Sequence, residues 1–187
     1  MTVFITGGCK NGKSTFALRQ ALRLAGEGKR CYVATMLPCD AHEWECVRRH
    51  RAAREGMGFE TVERGRDLAA ILADTDPDAT YLIDSVTALL SNEMFPADGG
   101  ADEGAAARVE ADLARILGAV RHCVVVSDYI YSDGGAYSAL SEQFRRGLAR
   151  LDCFLAARCD CVVEICGGIP TVHKGTLPDN IGEGETK

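Results

Sequence analysis

Met1-Thr2-Val3-Phe4-Ile5-Thr6 runs straight into Gly7-Gly8-Cys9-Lys10-Asn11-Gly12-Lys13-Ser14. The first six residues form a β-branched, apolar run of strand length, and the next eight fit G-x-x-x-x-G-K-[ST] without a mismatch. From Lys13 to Gly26 the apolar residues Phe16, Ala17, Leu22, Leu24 and Ala25 recur at helical spacing. A strand, a glycine-rich turn and a helix opening on Lys-Ser form the context in which this pattern wraps a phosphate chain. Glycines let backbone N–H groups approach the oxygens, and the helix N-terminus adds its positive dipole. Residues 7–14 are therefore expected to hold nucleotide phosphates, with Lys13 reaching the β- and γ-phosphates and the Ser14 hydroxyl ligating Mg²⁺. The alternative is a glycine-rich turn that binds no nucleotide.

Outward from that loop, further apolar strands are expected at Cys31–Thr35, Phe59–Glu63, Thr80–Asp84 and Val124–Ser127, with helices or loops between them. Asp40 with Glu43 resembles a capping box opening a helix to about Arg54. A short helix is read over Leu68–Ala73, and longer ones over Ala105–Val120 and from the Tyr131–Ala136 loop to about Ala157. Gly167-Gly168 separates two apolar runs by the two residues of a tight hairpin, with Pro170 on its edge strand. Near-continuous apolar strands alternating with helices predict one α/β domain over residues 1–187. Its sheet should be mostly parallel, covered by helices on both faces and closed by an antiparallel edge hairpin.

The chain has 187 residues, 47% hydrophobic and 26% charged, with a formal charge of −6. That charge argues against a nucleic-acid partner, which would need phosphate neutralisation. No apolar run is long enough to span a membrane, and no signal-peptide pattern opens the chain. The nine cysteines include no C-x-x-C pair and are expected to be mostly small buried hydrophobes, so a cytoplasmic location is expected.

A phosphate loop needs a carboxylate at the end of a neighbouring buried strand. Asp84, closing Tyr81-Leu82-Ile83-Asp84, is placed to hold Mg²⁺ through water; its alternative role is to cap a helix starting at Ser85. Ala34, Thr35 and Met36 end the adjacent strand and are expected in the same crevice. Arg48, Arg49, His50, Arg51 and Arg54 place four guanidiniums and an imidazole within seven residues. His50 and Arg54 share a helix face, and Cys46 and Val47 should press the base of His50 toward the core. Guanidinium forks bind oxyanions, and a neutral histidine beside them could attack an α-phosphorus to give a phosphoramidate. A solvated basic face with an incidental histidine is the other reading. His42, His122 and His173 are read as structural or surface residues, and Trp44 and Phe59 as core beneath the basic helix.

These residues resemble the adenosylcobinamide kinase/adenosylcobinamide-phosphate guanylyltransferase family over nearly the whole chain. The likeness is carried by Phe4–Ser14, Tyr32-Val33-Ala34-Thr35, His50-Arg51-Ala52-Ala53-Arg54, Thr61-Val62-Glu63, Asp84-Ser85-Val86-Thr87, Leu89-Leu90-Ser91-Asn92, Phe144-Arg145-Arg146 and Gly167-Gly168-Ile169. The resemblance implies a RecA-like P-loop NTPase fold, a homotrimer, and two activities. One phosphorylates adenosylcobinamide from ATP or GTP; the other moves GMP from GTP to the resulting phosphate through a guanylylated histidine. By position, His50 would carry GMP, Arg51, Arg54 and Glu63 would contact the nucleotide, residues 7–14 would hold its phosphates, and Asp84 would complete the nucleotide and metal site. Cys9, Asn11, Phe59, Asp128-Tyr129-Ile130-Tyr131 and Asp152-Cys153 depart from the family pattern and mark a divergent member. The rival readings are a small-molecule or nucleotide kinase without a covalent nucleotide, and a nucleotide-gated regulatory module. A Ras-like switch lacks its Asn-Lys-x-Asp signature here, and its Asp-x-x-Gly element occurs only at 179–182.

Overall fold

The computed structural model describes residues 1–97, 99–131 and 133–178. Ser132 of the expected loop and the tail from 179, including the Asp-x-x-Gly sequence, lie outside the described residues. Seven strands form one sheet: β1 (Thr2–Gly7), β2 (Arg30–Ala34), β3 (Phe59–Glu63), β4 (Thr80–Asp84), β5 (His122–Val126), β6 (Cys161–Cys166) and β7 (Ile169–Lys174), in the order β3-β2-β4-β5-β1-β6-β7. All neighbours run parallel except β6 and β7, the predicted edge hairpin. Gly167 and Gly168 turn it with φ of 57° and 82°, the paired left-handed conformation that a two-residue hairpin of this twist needs. Pro170 sits on the outermost strand, where its missing N–H breaks no ladder.

The sheet is coated on both faces, as its apolar strands require. One core packs Phe4, Tyr81, Ile83 and Val125 against α4 (Val86–Met94), α5 (Ala105–Ala119) and α6 (Ala139–Arg158), including Leu90, Leu113, Leu148 and Leu151. The other packs Val3, Ile5, Tyr32, Leu82 and Val126 against Ala17, Leu18 and Ala21 of α1 (Lys13–Ala25). Alternate residues of one strand thus serve opposite cores, the consequence of period-two side-chain direction. Leu68–Ala70 is a 3₁₀ turn leading into α3 (Ile71–Asp74), together filling the expected short helix.

Helix α2 (Ala41–Arg54) differs most from expectation. Asp40 caps it, its carboxylate accepting from the Glu43 N–H at 2.7 Å, but Glu43 accepts from the Cys39 N–H (2.7 Å) instead of returning to the Asp40 N–H. Only Arg54 of the helix is buried; Cys46 and Val47 are half-buried and Trp44 is 48% exposed. The physical reason is that Ala-His-Glu-Trp-Glu-Cys-Val-Arg-Arg-His-Arg-Ala-Ala-Arg has no continuous apolar stripe to bury. Phe59 does pack, meeting the Tyr32 ring edge-on with centroids 6.4 Å apart. The cysteines also correct expectation: Cys31, Cys123, Cys159 and Cys161 are buried, Cys46 is half-buried, and Cys9, Cys39, Cys153 and Cys166 are exposed, at turns and on helix faces that meet water.

Candidate active site

Four adjacent strands, β2, β4, β5 and β1, bring their carboxyl ends into one row. Along it stand Ala34 and Thr35, then Asp84, then Asp128 just beyond β5, then the loop after Gly7. In parallel sheets this edge faces helix N-termini and is where ligands bind.

Gly7 leaves β1 with φ +145°, and a Cβ there would lie 2.3 Å from the Ile165 carbonyl oxygen. Only glycine lets the loop start this close to β6. Gly12, at φ +87°, turns the chain into α1, whose first residues are Lys13 and Ser14. Cys9 and Lys10 are exposed and Gly8 and Asn11 half-buried around the turn. Lys13 is 6% exposed; its ammonium donates to the Gly8 carbonyl at 2.6 Å and pairs with Asp128 at 2.7 Å. Asp128 is fixed from the far side, its backbone N–H donating to the Thr87 hydroxyl at 2.9 Å, while the Tyr129 N–H donates to the Gly7 carbonyl at 2.9 Å.

Asp84 receives the Tyr32 hydroxyl at 2.8 Å and lies 3.5 Å from His50 Nδ1, both through Oδ2. Burial alone would raise its carboxyl; hydrogen bonding and charge from His50, then hydrogen bonds from Tyr32 and Ser14, outweigh it and hold the carboxyl below its ordinary value. The group is ionised at neutral pH. Ser14 and Asp84 thus form an adjacent pair of hard oxygen donors, the chemistry that suits Mg²⁺. Burial, then the Asp84 charge, push the Tyr32 phenol upward, so it stays a donor. Asp84 does not cap the following helix: Ser85 does, accepting from the Ala88 N–H at 3.3 Å.

Arg54 lies over the Tyr32 ring at 3.4 Å from the centroid and donates to the His50 carbonyl at 2.7 Å and the Thr61 hydroxyl at 3.4 Å. Arg51 pairs with Glu63. Thr61 and Glu63 are two apart on β3 and so serve one face. Arg51, Arg54, Phe59, Thr61 and Glu63 line an open cleft of about 680 Å³ between α2 and β3. The structure therefore brings together His50, Asp84 and Ser14 in one group, and Arg51, Arg54 and Glu63 in a second beside it, joined by Tyr32. Ala34 and Met36 are half-buried at the edge of the row, whereas Thr35 is fully buried. The Thr35 hydroxyl is tied into the scaffold, donating to the Ser85 carbonyl and accepting from its N–H, both at 2.7 Å.

Sequence reasoning passed over Tyr32, which reads as one more apolar strand residue, and the Lys13–Asp128 pair, which exists because β5 lies beside β1. Asn92, at the end of the Leu-Ser-Asn segment, bridges the loops after β2 and β3 by donating to the Thr35 carbonyl at 2.7 Å and the Gly65 carbonyl at 3.0 Å.

The cobinamide kinase / cobinamide phosphate guanyltransferase family model matches residues 3–172. The chain belongs to this family. Its curated relatives include the bifunctional adenosylcobalamin biosynthesis protein CobU of Escherichia coli, 27% identical over 90% of this chain and 97% of the relative. The protein of the same name from Salmonella typhimurium is 26% identical over the same shares. Among solved structures, the flagellar accessory protein FlaH from Methanocaldococcus jannaschii superposes with TM-score 0.54 at 13% identity, covering 97% of this chain and 82% of its own. A second solved structure, an ATPase domain, gives 0.50 at 14% identity, covering 87% of this chain and 68% of its own. These likenesses establish the RecA-like P-loop fold, and with the family they establish nucleotide binding. No described helix is long and apolar enough to cross a membrane.

Proposed function

We propose that the chain performs both reactions of its family at this row. The first is phosphorylation of adenosylcobinamide by ATP or GTP, and the second is transfer of GMP from GTP to adenosylcobinamide phosphate through a guanylylated His50. Residues 7–14 cradle the phosphates; Lys13 moves from its protein acceptors onto them; Ser14 and Asp84 hold Mg²⁺, which supplies charge neutralisation at the phosphates. Arg51, Arg54 and Glu63 contact the nucleotide along the cleft beside α2.

The observation that carries the covalent step is the His50–Asp84 approach. With Nδ1 turned to a buried, ionised carboxylate, a neutral His50 carries its proton there and presents Nε2 as a free electron pair. Nε2 attacks the α-phosphorus of GTP, an N–P bond forms, and the bond to the bridging oxygen breaks with its electrons leaving on pyrophosphate. The phosphate of the acceptor then attacks the same phosphorus and the N–P pair returns to Nε2. We also assign the protein to the cytoplasm as a homotrimer; light scattering of the purified chain tests the latter.

The deciding experiment incubates the chain with α-³²P-GTP and Mg²⁺, denatures it, and seeks acid-labile, base-stable label, with His50→Ala alongside. Label on the wild type alone is the expected result. No label with nucleotide still bound would leave a kinase without a covalent intermediate, and His50 would return to a structural role.

A further inference from the structure

Two open clefts flank the row, and the nucleotide fills only one. The first, between α2 and β3, is basic: Arg54 stacks there on the Tyr32 ring, so its charge remains to meet an anion. The second lies between the segment that follows β5 and the adjoining parts of α4 and α6. It encloses about 500 Å³, and its lining includes Phe95, Tyr129, Ile130, Tyr137, Phe144 and Arg145. Tyr129 and Tyr137 are 41% and 46% exposed, so aromatic surface stands open to solvent. Both rings are held in place. Tyr131 meets Tyr129 edge-on with centroids 4.8 Å apart, and its own hydroxyl donates to the buried Asp152 at 2.9 Å. Arg145 lies over the Tyr137 ring, 4.2 Å from the centroid, and pairs with Asp133 at 2.9 Å and Glu142 at 3.1 Å, which offset its charge. This cleft therefore offers fixed aromatic surface and no unbalanced cation, which suits a large, flat ligand better than a chain of phosphates.

We propose that this second cleft binds the corrinoid acceptor, an inference that rests on the acceptor reading above. A corrin is a broad, flat macrocycle fringed by uncharged amides, and the reacting hydroxyl ends a flexible arm. Aromatic faces suit the ring. The Tyr129 N–H donates to the Gly7 carbonyl at 2.9 Å, so the aromatic wall is fastened to the first residue of the phosphate loop, within reach of that arm. Direction agrees. Displacement at phosphorus runs in line, so the acceptor enters opposite the leaving group. The basic cleft lies on the β2 side of Asp84 and the aromatic cleft on the β5 side. They also belong to opposite faces of the sheet: Phe59 of the first packs on the α1 core, Phe95 and Phe144 of the second on the α4–α6 core. From the second cleft the acceptor oxygen bonds to the γ-phosphorus as the bond to the bridging oxygen breaks. The electrons of that bond leave on the nucleoside diphosphate, and the hydroxyl proton passes to water. The same entry brings the acceptor phosphate in opposite His50, which approaches Asp84 from the β2 side. Tyr129 and Tyr131 lie where the chain departs from its family pattern, so this wall sets which corrinoid the chain prefers.

Corrinoids absorb visible light, so equilibrium dialysis of adenosylcobinamide against the purified chain reads binding without any chemistry. The test compares wild type, Tyr129→Ser and Tyr137→Ser. The expected result is a Kd for adenosylcobinamide raised about tenfold or more in each variant, the loss of one stacked aromatic face, with its KM rising in step. Labelling of His50 by α-³²P-GTP, which needs no acceptor, should stay within a few-fold. Wild-type affinity in both variants overturns the proposal and puts the acceptor elsewhere. So does an equal loss of label and affinity, which would assign the cleft to the nucleotide. Light scattering on the same samples supplies a further check: a smaller particle would make this face a contact between copies and also overturn the proposal. Should either variant melt early, Tyr129→Leu and Tyr137→Leu, which keep apolar bulk without a stacking face, carry the same comparison. A wild type that is labelled on His50 but takes up no adenosylcobinamide refutes the acceptor reading itself.

Discussion

Tyr32→Phe removes one oxygen from the junction between the two halves of the site, and its effect can be worked out in advance. Tyr32 is 3% exposed, and its hydroxyl donates at 2.8 Å to a buried, ionised carboxylate. A hydrogen bond to a charged group contributes about 1.5–3 kcal/mol, and water cannot easily replace it in this position. The phenyl ring keeps its face, so Arg54 retains its stacking position 3.4 Å from the centroid. The loss should therefore fall chiefly on Asp84, with the longer 3.5 Å contact to His50 Nδ1 lost beside it, at about 2 kcal/mol at pH 7. With a urea slope of about 2 kcal/mol/M, that moves the unfolding midpoint down by about 1 M. The sign with pH follows from Asp84, whose carboxyl is held low in the fold. Its stabilising contribution is present above the unfolded carboxyl value and disappears as pH falls through the folded one. The gap between variant and wild type should thus narrow in acid. His50 labelling by α-³²P-GTP should slow as well, because Asp84 loses the partner that steadies it opposite Nδ1. A midpoint within about 0.2 M of wild type at pH 7, or a gap that is undiminished in acid, would refute the assignment of Tyr32 as a partner of the ionised carboxylate.

Gly7→Ala should destabilise the chain by more than about 3 kcal/mol in chemical denaturation and abolish binding of a fluorescent GTP analogue, since its Cβ would meet the Ile165 carbonyl at 2.3 Å in a conformation alanine disfavours. Asp152→Asn tests a buried carboxyl that burial raises to about 6 against the hydrogen bond from Tyr131. The folded chain holds that proton while the unfolded chain releases it between about pH 4 and 6, so wild-type stability declines over that window by about 2–3 kcal/mol. Asparagine escapes the decline, and the variant should be the more stable protein at pH 7.5 but not at pH 4, by urea melts at both. Asn92→Ala leaves the Thr35 and Gly65 carbonyls without their shared donor and should cost about 1–3 kcal/mol by the same measurement; Asn92→Asp, which offers them acceptors, should cost more.

The phosphate loop, the parallel sheet and the hairpin were legible because each is written locally, in Gly7–Ser14, in the apolar strand runs and in Gly167-Gly168. His50, Arg51, Arg54 and Glu63 could be named because a dense basic stretch on an acidic chain is a local anomaly. What could not be read depends on strand order or on a side chain's second partner. Asp128 meets Lys13 only because β5 inserts beside β1, which no stretch of sequence states. The Thr35 hydroxyl is taken by Ser85 across two strands. Trp44 defeats the rule that aromatic rings usually bury, because its helix offers no apolar face to carry it inward.

The pairing of β1 has a consequence for synthesis. Thr2 faces Cys123 on one side and Gly7 faces Ile165 on the other. β1 gains its second neighbour only when β6, beginning at Cys161, is made, so the phosphate loop has no floor until β6 has left the ribosome. Nascent chains ending between β5 and β6 would expose an apolar β1 edge, a state prone to mispairing. Nucleotide competence should arrive abruptly, with the emergence of β6.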